Sequence, residues 1–268
     1  MTEPGQPTRV HLEVSKALAT VTLDGPSSRN SLSGPTGLAL LETMRRLAAD
    51  DDVRAVLLTG ANAAFTAGAD LRELRAGYEA GSPPNLAELL TSGLNPLITT
   101  VATMPKPVVA ALPGAAAGAG LALALACDLR LAARSAVLAT AFAAIGLTAD
   151  AGLSWILPRI VGTARATALL MLPERLTAEH ALELGLVQAV LPDDLLAETA
   201  TELATRLSEG PTAAYAAIKQ SIAYGATATL PEALTFEAEQ QRAMGHTTDH
   251  QNAVLAFLNR EPPTFTGR

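Results

Sequence analysis

The chain has 268 residues, of which 49% are hydrophobic and 17% charged, and its 26 Asp plus Glu against 19 Lys plus Arg leave a net charge of −7. This is ample material for a buried core without the composition of disorder, and the length allows one large domain or a core with an appendage. The acidic balance, with only three lysines, counts against a nucleic-acid surface, and the single cysteine, Cys127, excludes an intrachain disulfide or a multi-cysteine metal site.

Residues 1–11, with Pro4, Gly5, Gln6 and Pro7, show no apolar stretch behind a charged start, so no signal peptide is read and a cytoplasmic protein is expected. Val10, Leu12 and Val14, then Ala19, Val21 and Leu23, alternate as two paired strands closed by Asp24-Gly25-Pro26. A helix is expected next, with Ser33 as N-cap, Pro35 in the first turn and Leu38, Leu41, Met44 and Ala48 on one face. Strands buried on both faces follow at 54–59 and 108–112, each stopped by a glycine.

The Ala-rich run 108–126 is about as long as a membrane span. Pro113, Gly114, Gly118 and Gly120 divide it into a strand, a glycine-rich turn and a helix, so a soluble core is read and no membrane partner is expected. Strand, glycine and helix recur three times at unequal spacing, a weak repeat that points to stacked ββα turns. From Pro192 onward the pattern is helical, with candidate helices at 195–207, 212–224, 231–244 and 247–258. Such a tail cannot bury its apolar faces alone and must pack on the core or on another subunit. The division expected is a core over residues 1–191 and a helical region over 192–268.

His11, His180, His246 and His250 form no triad, and His246 and His250 lack a third ligand for a metal. The glycine-rich stretch 114–120 lacks the Gly-Lys-Ser/Thr ending of a P-loop and the third glycine of a dinucleotide fingerprint. What remains is a helix start with small residues that can aim free N–H groups at an oxygen. A second such place is Phe65-Thr66-Ala67-Gly68-Ala69-Asp70-Leu71, and N–H groups from two turns can serve one oxyanion.

Together these segments resemble the crotonase (enoyl-CoA hydratase/isomerase) superfamily over about residues 10–265. The 65–71 segment matches its F-x-A-G-A-D-L signature. Pro107-Val108-Val109-Ala110-Ala111-Leu112-Pro113-Gly114, with Gly118-Ala119-Gly120 and Cys127-Asp128, matches the second, and Ile145-Gly146-Leu147-Thr148-Ala149-Asp150-Ala151-Gly152 and Ala181-Leu182-Glu183-Leu184-Gly185-Leu186-Val187 match later ones in the same order. The resemblance implies an α/β fold, a spiral of ββα turns with a C-terminal helical region that builds a homotrimer or a dimer of trimers. It puts the N–H groups of Ala69 and Ala119 at the oxyanion hole of an acyl-thioester carbonyl. Coenzyme A is then part of the substrate, and no separate cofactor or metal is expected. Around the hole, Ala67, Asp70, Leu71, Gly118 and Phe142 are expected to touch the acyl-CoA. Arg29, Arg72 and Arg260 stand where the family places charge for the coenzyme's phosphates, and Asp70 is expected to cap the helix after the first turn. Asn95 either meets a polar substrate group or caps a helix before Pro96.

Hydration in this family uses two glutamates, and the matching positions hold Ala122 and Phe142, neither of which moves a proton. The remaining acid is Asp150, where isomerase-type relatives place an aspartate and one dehalogenase branch places its nucleophile. In an apolar pocket beside Phe142, Leu147 and Trp155 its pKa would rise by desolvation, as suits a proton shuttle; the alternative is a cap for a helix starting near Gly152. The leading expectation is an isomerase working through Asp150. The alternatives are a hydratase-like or otherwise specialised crotonase, hydrolytic or ring-forming, and an acyl-CoA-binding subunit with a degenerate site. The many small alanines point to room for a bulky or branched acyl group.

Overall fold

In the computed structural model, which describes residues 7–268, two sheets run side by side and the chain visits them alternately. The signal-peptide reading falls largely on residues 1–6, outside the described residues. The larger sheet starts with β1 (Arg9–Ser15), antiparallel to β2 (Leu18–Asp24). It continues in parallel through β3 (Ala55–Gly60), β5 (Val108–Leu112), β7 (Leu129–Ala133) and β10 (Ala189–Leu191). The smaller sheet pairs β4 (Ala64–Thr66), β6 (Ala115–Ala117) and β8 (Val137–Ala139) in parallel, with β9 (Arg175–Thr177) antiparallel at its edge. From β3 to β8, each turn of the spiral thus lays one strand in the large sheet, a three-residue strand in the small one, and then helix.

The short strands are the part that patterning missed. Ala115–Ala117 was expected as part of a glycine-rich turn, but it pairs with β4 and β8. Three residues are too few to show the alternation that betrays a half-buried strand. Glycine makes the tight path possible, since a Cβ at Gly120 would lie 2.6 Å from the Thr66 carbonyl oxygen.

Helix α1 (Gly34–Ala49) starts at Ser33, whose Oγ accepts the Thr36 N–H. Its buried face is Leu40, Leu41, Met44 and Leu47, packed toward α4 (Asn95–Thr103) and β1; Leu38, expected there, points away from both and is exposed. After α2 (Arg72–Glu79) comes one continuous helical run, α3 (Leu86–Leu89), a π turn over Leu90–Leu94, and α4 (Asn95–Thr103). All eight residues of α5 (Ala119–Ala126) are buried, which explains its lack of a polar face. Helices α6 (Leu153–Val161), α7 (Thr163–Met171) and α8 (Ala178–Glu183) follow.

All four helices expected beyond residue 192 are present: α9 (Leu196–Ser208), α10 (Thr212–Gly225), α11 (Leu230–Gly245) and α12 (Thr248–Asn259). Helix α9 lies across β3, β5 and β7, and so covers one face of the large sheet. Lys219 on α10 reaches back to Asp128 at 2.8 Å. Buried Asp249 accepts the N–H groups of Thr266 and Gly267, tying down the C-terminal segment. Among the described residues, no helix is long and apolar enough to cross a membrane.

Candidate active site

The site is built where β4 and β6 end side by side. Beyond β4 the chain turns at Gly68 (φ +85°), whose N–H is held by Thr66 Oγ1 at 3.1 Å. Residues 29–32 run along this turn. The Arg29 carbonyl accepts the Ala67 N–H (2.9 Å), the Gly68 carbonyl accepts the Leu32 N–H (2.7 Å), and the Leu32 carbonyl receives the Asp70 N–H (3.4 Å). The Ala69 N–H is left without an acceptor among the described residues.

Beyond β6 the chain turns at Gly118 (φ +53°), whose N–H goes to the Ala139 carbonyl at 2.9 Å. Ala119 then opens α5, and its N–H also finds no acceptor among the described residues. The two turns touch: a Cβ on Gly68 would lie 2.4 Å from the Ala117 carbonyl oxygen and 3.2 Å from the Ala119 nitrogen. Two unengaged N–H groups therefore stand on neighbouring turns at the carboxyl ends of adjacent parallel strands, the second reinforced by the start of a helix.

Phe142 is buried, and its ring lies 3.8 Å from where a Cβ on Gly118 would be, so it walls the second turn. Its carbonyl accepts the N–H groups of Ile145 and Leu147, folding the chain into a hook that leads to Asp150. Asp150 does not cap α6 with its side chain, because the cap position is Gly152 and no side-chain bond is made there. Instead its Oδ1 is buried with no hydrogen-bond partner among the described residues, and burial pushes the carboxyl up to about 6. The backbone beside it is constrained: Ala151 is buried with φ +49°, and Gly152, with φ +78°, packs toward Ile98 of α4. Trp155, expected as a wall of this pocket, is 53% exposed with the Arg159 guanidinium over its ring.

Asp70 meets its expectation as a cap, accepting the Arg72 N–H at the start of α2. It also holds the Arg72 side chain through two bonds (2.8 and 2.6 Å) and accepts from Ser31 Oγ, and Arg72 keeps its carboxyl below the usual range. The Arg72 charge, expected for a phosphate, is thus engaged by Asp70. Arg29 is exposed and joined to the first turn through its carbonyl, with no carboxylate partner among the described residues. Arg260 caps α12 in the left-handed conformation, on a different element from either turn. Asn95 does not N-cap α4, because the helix runs through it from the π turn, where its backbone N–H donates to the Leu90 carbonyl; its side chain is exposed. Ala67 is half-buried, and Leu71 is exposed beside the first turn.

Two residues that matter here were not singled out by the sequence. Thr66 is fully buried between the two turns, and Asn30 is fully buried beneath the first. A polar residue within an apolar signature, and an Asn beside the turn-forming Arg29, were the available signals. Among the described residues, no three His, Cys, Asp or Glu side chains gather as a metal site.

This arrangement is that of an enzyme acting on an acyl-CoA thioester in a crotonase fold, and comparison with known proteins agrees. The enoyl-CoA hydratase/isomerase family model matches residues 13–268, and the chain belongs to that family. It is 41% identical over 255 residues to 1,2-epoxyphenylacetyl-CoA isomerase of Escherichia coli K12, covering 95% of this chain and 97% of the relative. It is 32% identical to trans-2-decenoyl-[acyl-carrier-protein] isomerase of Streptococcus mutans, covering 95% and 97%. Among solved structures, enoyl-CoA hydratase from Bacillus anthracis superposes with a TM-score of 0.89 at 31% identity, covering 98% of this chain and all of that one.

Proposed function

We propose that this protein is an acyl-CoA isomerase in which Asp150 carries a proton from one carbon of the acyl group to another while the Ala69 and Ala119 N–H groups hold the intermediate oxyanion. The observation that carries the reading is the unpartnered, buried Oδ1 of Asp150. A structural carboxylate is paired or bonded, whereas a base must keep a lone pair free, and a pKa of about 6 suits proton exchange near neutrality.

The reaction needs no added atom. Asp150 takes a proton alpha or gamma to the thioester carbonyl, and the C–H electron pair moves toward that carbonyl and places negative charge on its oxygen. The two N–H groups stabilise that charge. The carboxylic acid then returns the proton to the other carbon, and the double bond has moved. Coenzyme A enters as part of the substrate, and the scheme calls for no separate cofactor. At the positions that the resemblance assigns to the hydration glutamates, Ala122 is buried in α5 and Phe142 lines the second turn. With neither able to activate water, a lone shuttle is favoured over hydration. Relatives carry both isomerase and hydratase names, so the reading rests on Asp150 and the two replaced glutamate positions, while the phenylacetyl group in the name of one relative supports a bulky acyl chain.

The chain is further proposed to work as a homotrimer or a dimer of trimers. Ile222, Leu230, Phe257 and Leu258 on the last three helices are each more than 70% exposed, a cost that self-association removes.

The test is to supply a 3-enoyl-CoA and, separately, a 2-enoyl-CoA, and to follow double-bond position and water addition by mass spectrometry. Isomerisation without hydration is expected. Rapid hydration would replace this reading with the hydratase-like one, and binding without turnover of any acyl-CoA would favour a binding subunit.

A further inference from the structure

We infer that Asn30 is a positioning residue of the oxyanion hole, aiming the Ala69 N–H from beneath; this rests on the reading of Ala69 given above. Asn30 is fully buried and held at φ +59°, a left-handed conformation that Asn tolerates better than most residues, and Arg29 before it is also left-handed (φ +51°). The side chain uses both ends. Oδ1 accepts the Gly25 N–H at 2.8 Å, beyond the end of β2. Nδ2 donates to the carbonyls of Ala61 (2.9 Å) and Ala64 (2.8 Å), at the bend into β4, with Phe65 O at 3.3 Å. Its own N–H adds a bond to the Gly25 carbonyl at 3.0 Å.

One side chain therefore sets residues 29–32 against both the approach to β4 and the end of β2. The same four residues hold the main chain on either side of Ala69, through the Ala67 N–H, the Gly68 carbonyl and the Asp70 N–H, while Ser31 Oγ holds the Asp70 carboxylate at 3.1 Å. The Ala67 N–H, the Gly68 carbonyl and the Asp70 N–H are tied to this strap and the Gly68 N–H to Thr66 Oγ1, which leaves the Ala69 N–H without an acceptor among the described residues. Hydrogen-bond strength at an oxyanion hole depends on donor placement to a fraction of an ångström, so loosening Asn30 weakens the hole without touching the substrate.

The experiment uses the full-length protein with butyryl-CoA, isotope-labelled at the thioester carbonyl, and reads the carbonyl stretching band of the bound thioester by difference infrared spectroscopy. Asn30→Asp keeps the acceptor for Gly25 and replaces the donor; Asn30→Gly keeps the left-handed backbone and removes the fan of bonds. For folded variants the band moves back toward its position in free butyryl-CoA, and kcat measured separately with a 3-enoyl-CoA falls about 100-fold with KM little changed. Should neither fold, Asn30→Ser, whose short side chain cannot reach both Gly25 and Ala64, is the fallback and shifts the band in the same direction. A band unmoved in whichever of these variants folds overturns the role of Asn30. A band in the wild-type protein no different from free butyryl-CoA would instead overturn the oxyanion-hole reading of Ala69 and Ala119, and this inference with it.

Discussion

Gly68 lies against Ala119: a Cβ added to the glycine would stand 3.2 Å from the Ala119 nitrogen and 2.4 Å from the Ala117 carbonyl oxygen, which is main chain and cannot rotate away. The close approach of the two turns, and so the pairing of their free N–H groups, depends on a residue with no side chain at a φ of +85°. Gly68→Ala is expected to destabilise the fold by about 2 kcal/mol or more. It should also lower kcat by more than the loss of folded protein explains. Chemical denaturation and active-site-normalised turnover would check this.

Asp150 gives a pH signature with a definite sign. The base is ionised above about 6, so kcat/KM should rise with pH up to that point and then level off.

The same carboxyl affects stability in the opposite direction. Burial lifts its folded pKa from an ordinary 3.8 to about 6, so between these values the folded state binds more protons than the unfolded one. Its stabilising contribution is present below pH ~4, and it is lost as the pH rises through about 6. Asp150→Asn, which keeps the shape without the charge, should therefore be more stable than wild type at pH 7. The gain expected is about 1–2 kcal/mol once solvent access to a half-buried group is allowed for. The two proteins should converge at pH ~4. Thermal unfolding across that range would show it.

The two arginines flanking the first turn should behave differently. Arg29 is exposed without a carboxylate partner among the described residues, whereas Arg72 is held by Asp70 through two hydrogen bonds. Arg29→Ala is expected to raise KM for an acyl-CoA by up to roughly tenfold, about 1.4 kcal/mol, more at low salt than at high, with kcat little changed. Arg72→Ala should raise it less, because that charge is already neutralised. Steady-state kinetics at two ionic strengths would separate them.

Association through the C-terminal helices predicts a solution mass that is a multiple of the 27.5 kDa chain. Phe257, 82% exposed on α12, is the most exposed large apolar side chain there, and Phe257→Asp should lower that mass. Light scattering on both proteins would test it, and an unchanged mass would place the interface elsewhere.

The elements with strong periodicity were legible from the sequence. Strand β5 appears where Val108 to Leu112 read as apolar on both faces, and the four helices of the tail fall within a residue or so of their expected bounds. The three-residue strand at Ala115–Ala117 was not legible, because its evidence is pairing with β4 and β8, which are distant in sequence. The site shows the same contrast. The two glycine-marked turns could be found from the residues and the family resemblance put Ala69 and Ala119 on them, whereas the roles of Asn30 and Thr66 depend on which carbonyls and turns the spiral brings against them. Trp155 was misplaced for a related reason, since an aromatic five residues from an acid can as well face outward, where Arg159 covers it.

The central claim is that Asp150 is the proton carrier, and turnover of a 3-enoyl-CoA by Asp150→Asn is its most direct test. The account predicts a loss of about 100- to 10,000-fold in kcat, with the protein folded and acyl-CoA binding retained. Full activity in that variant would contradict it.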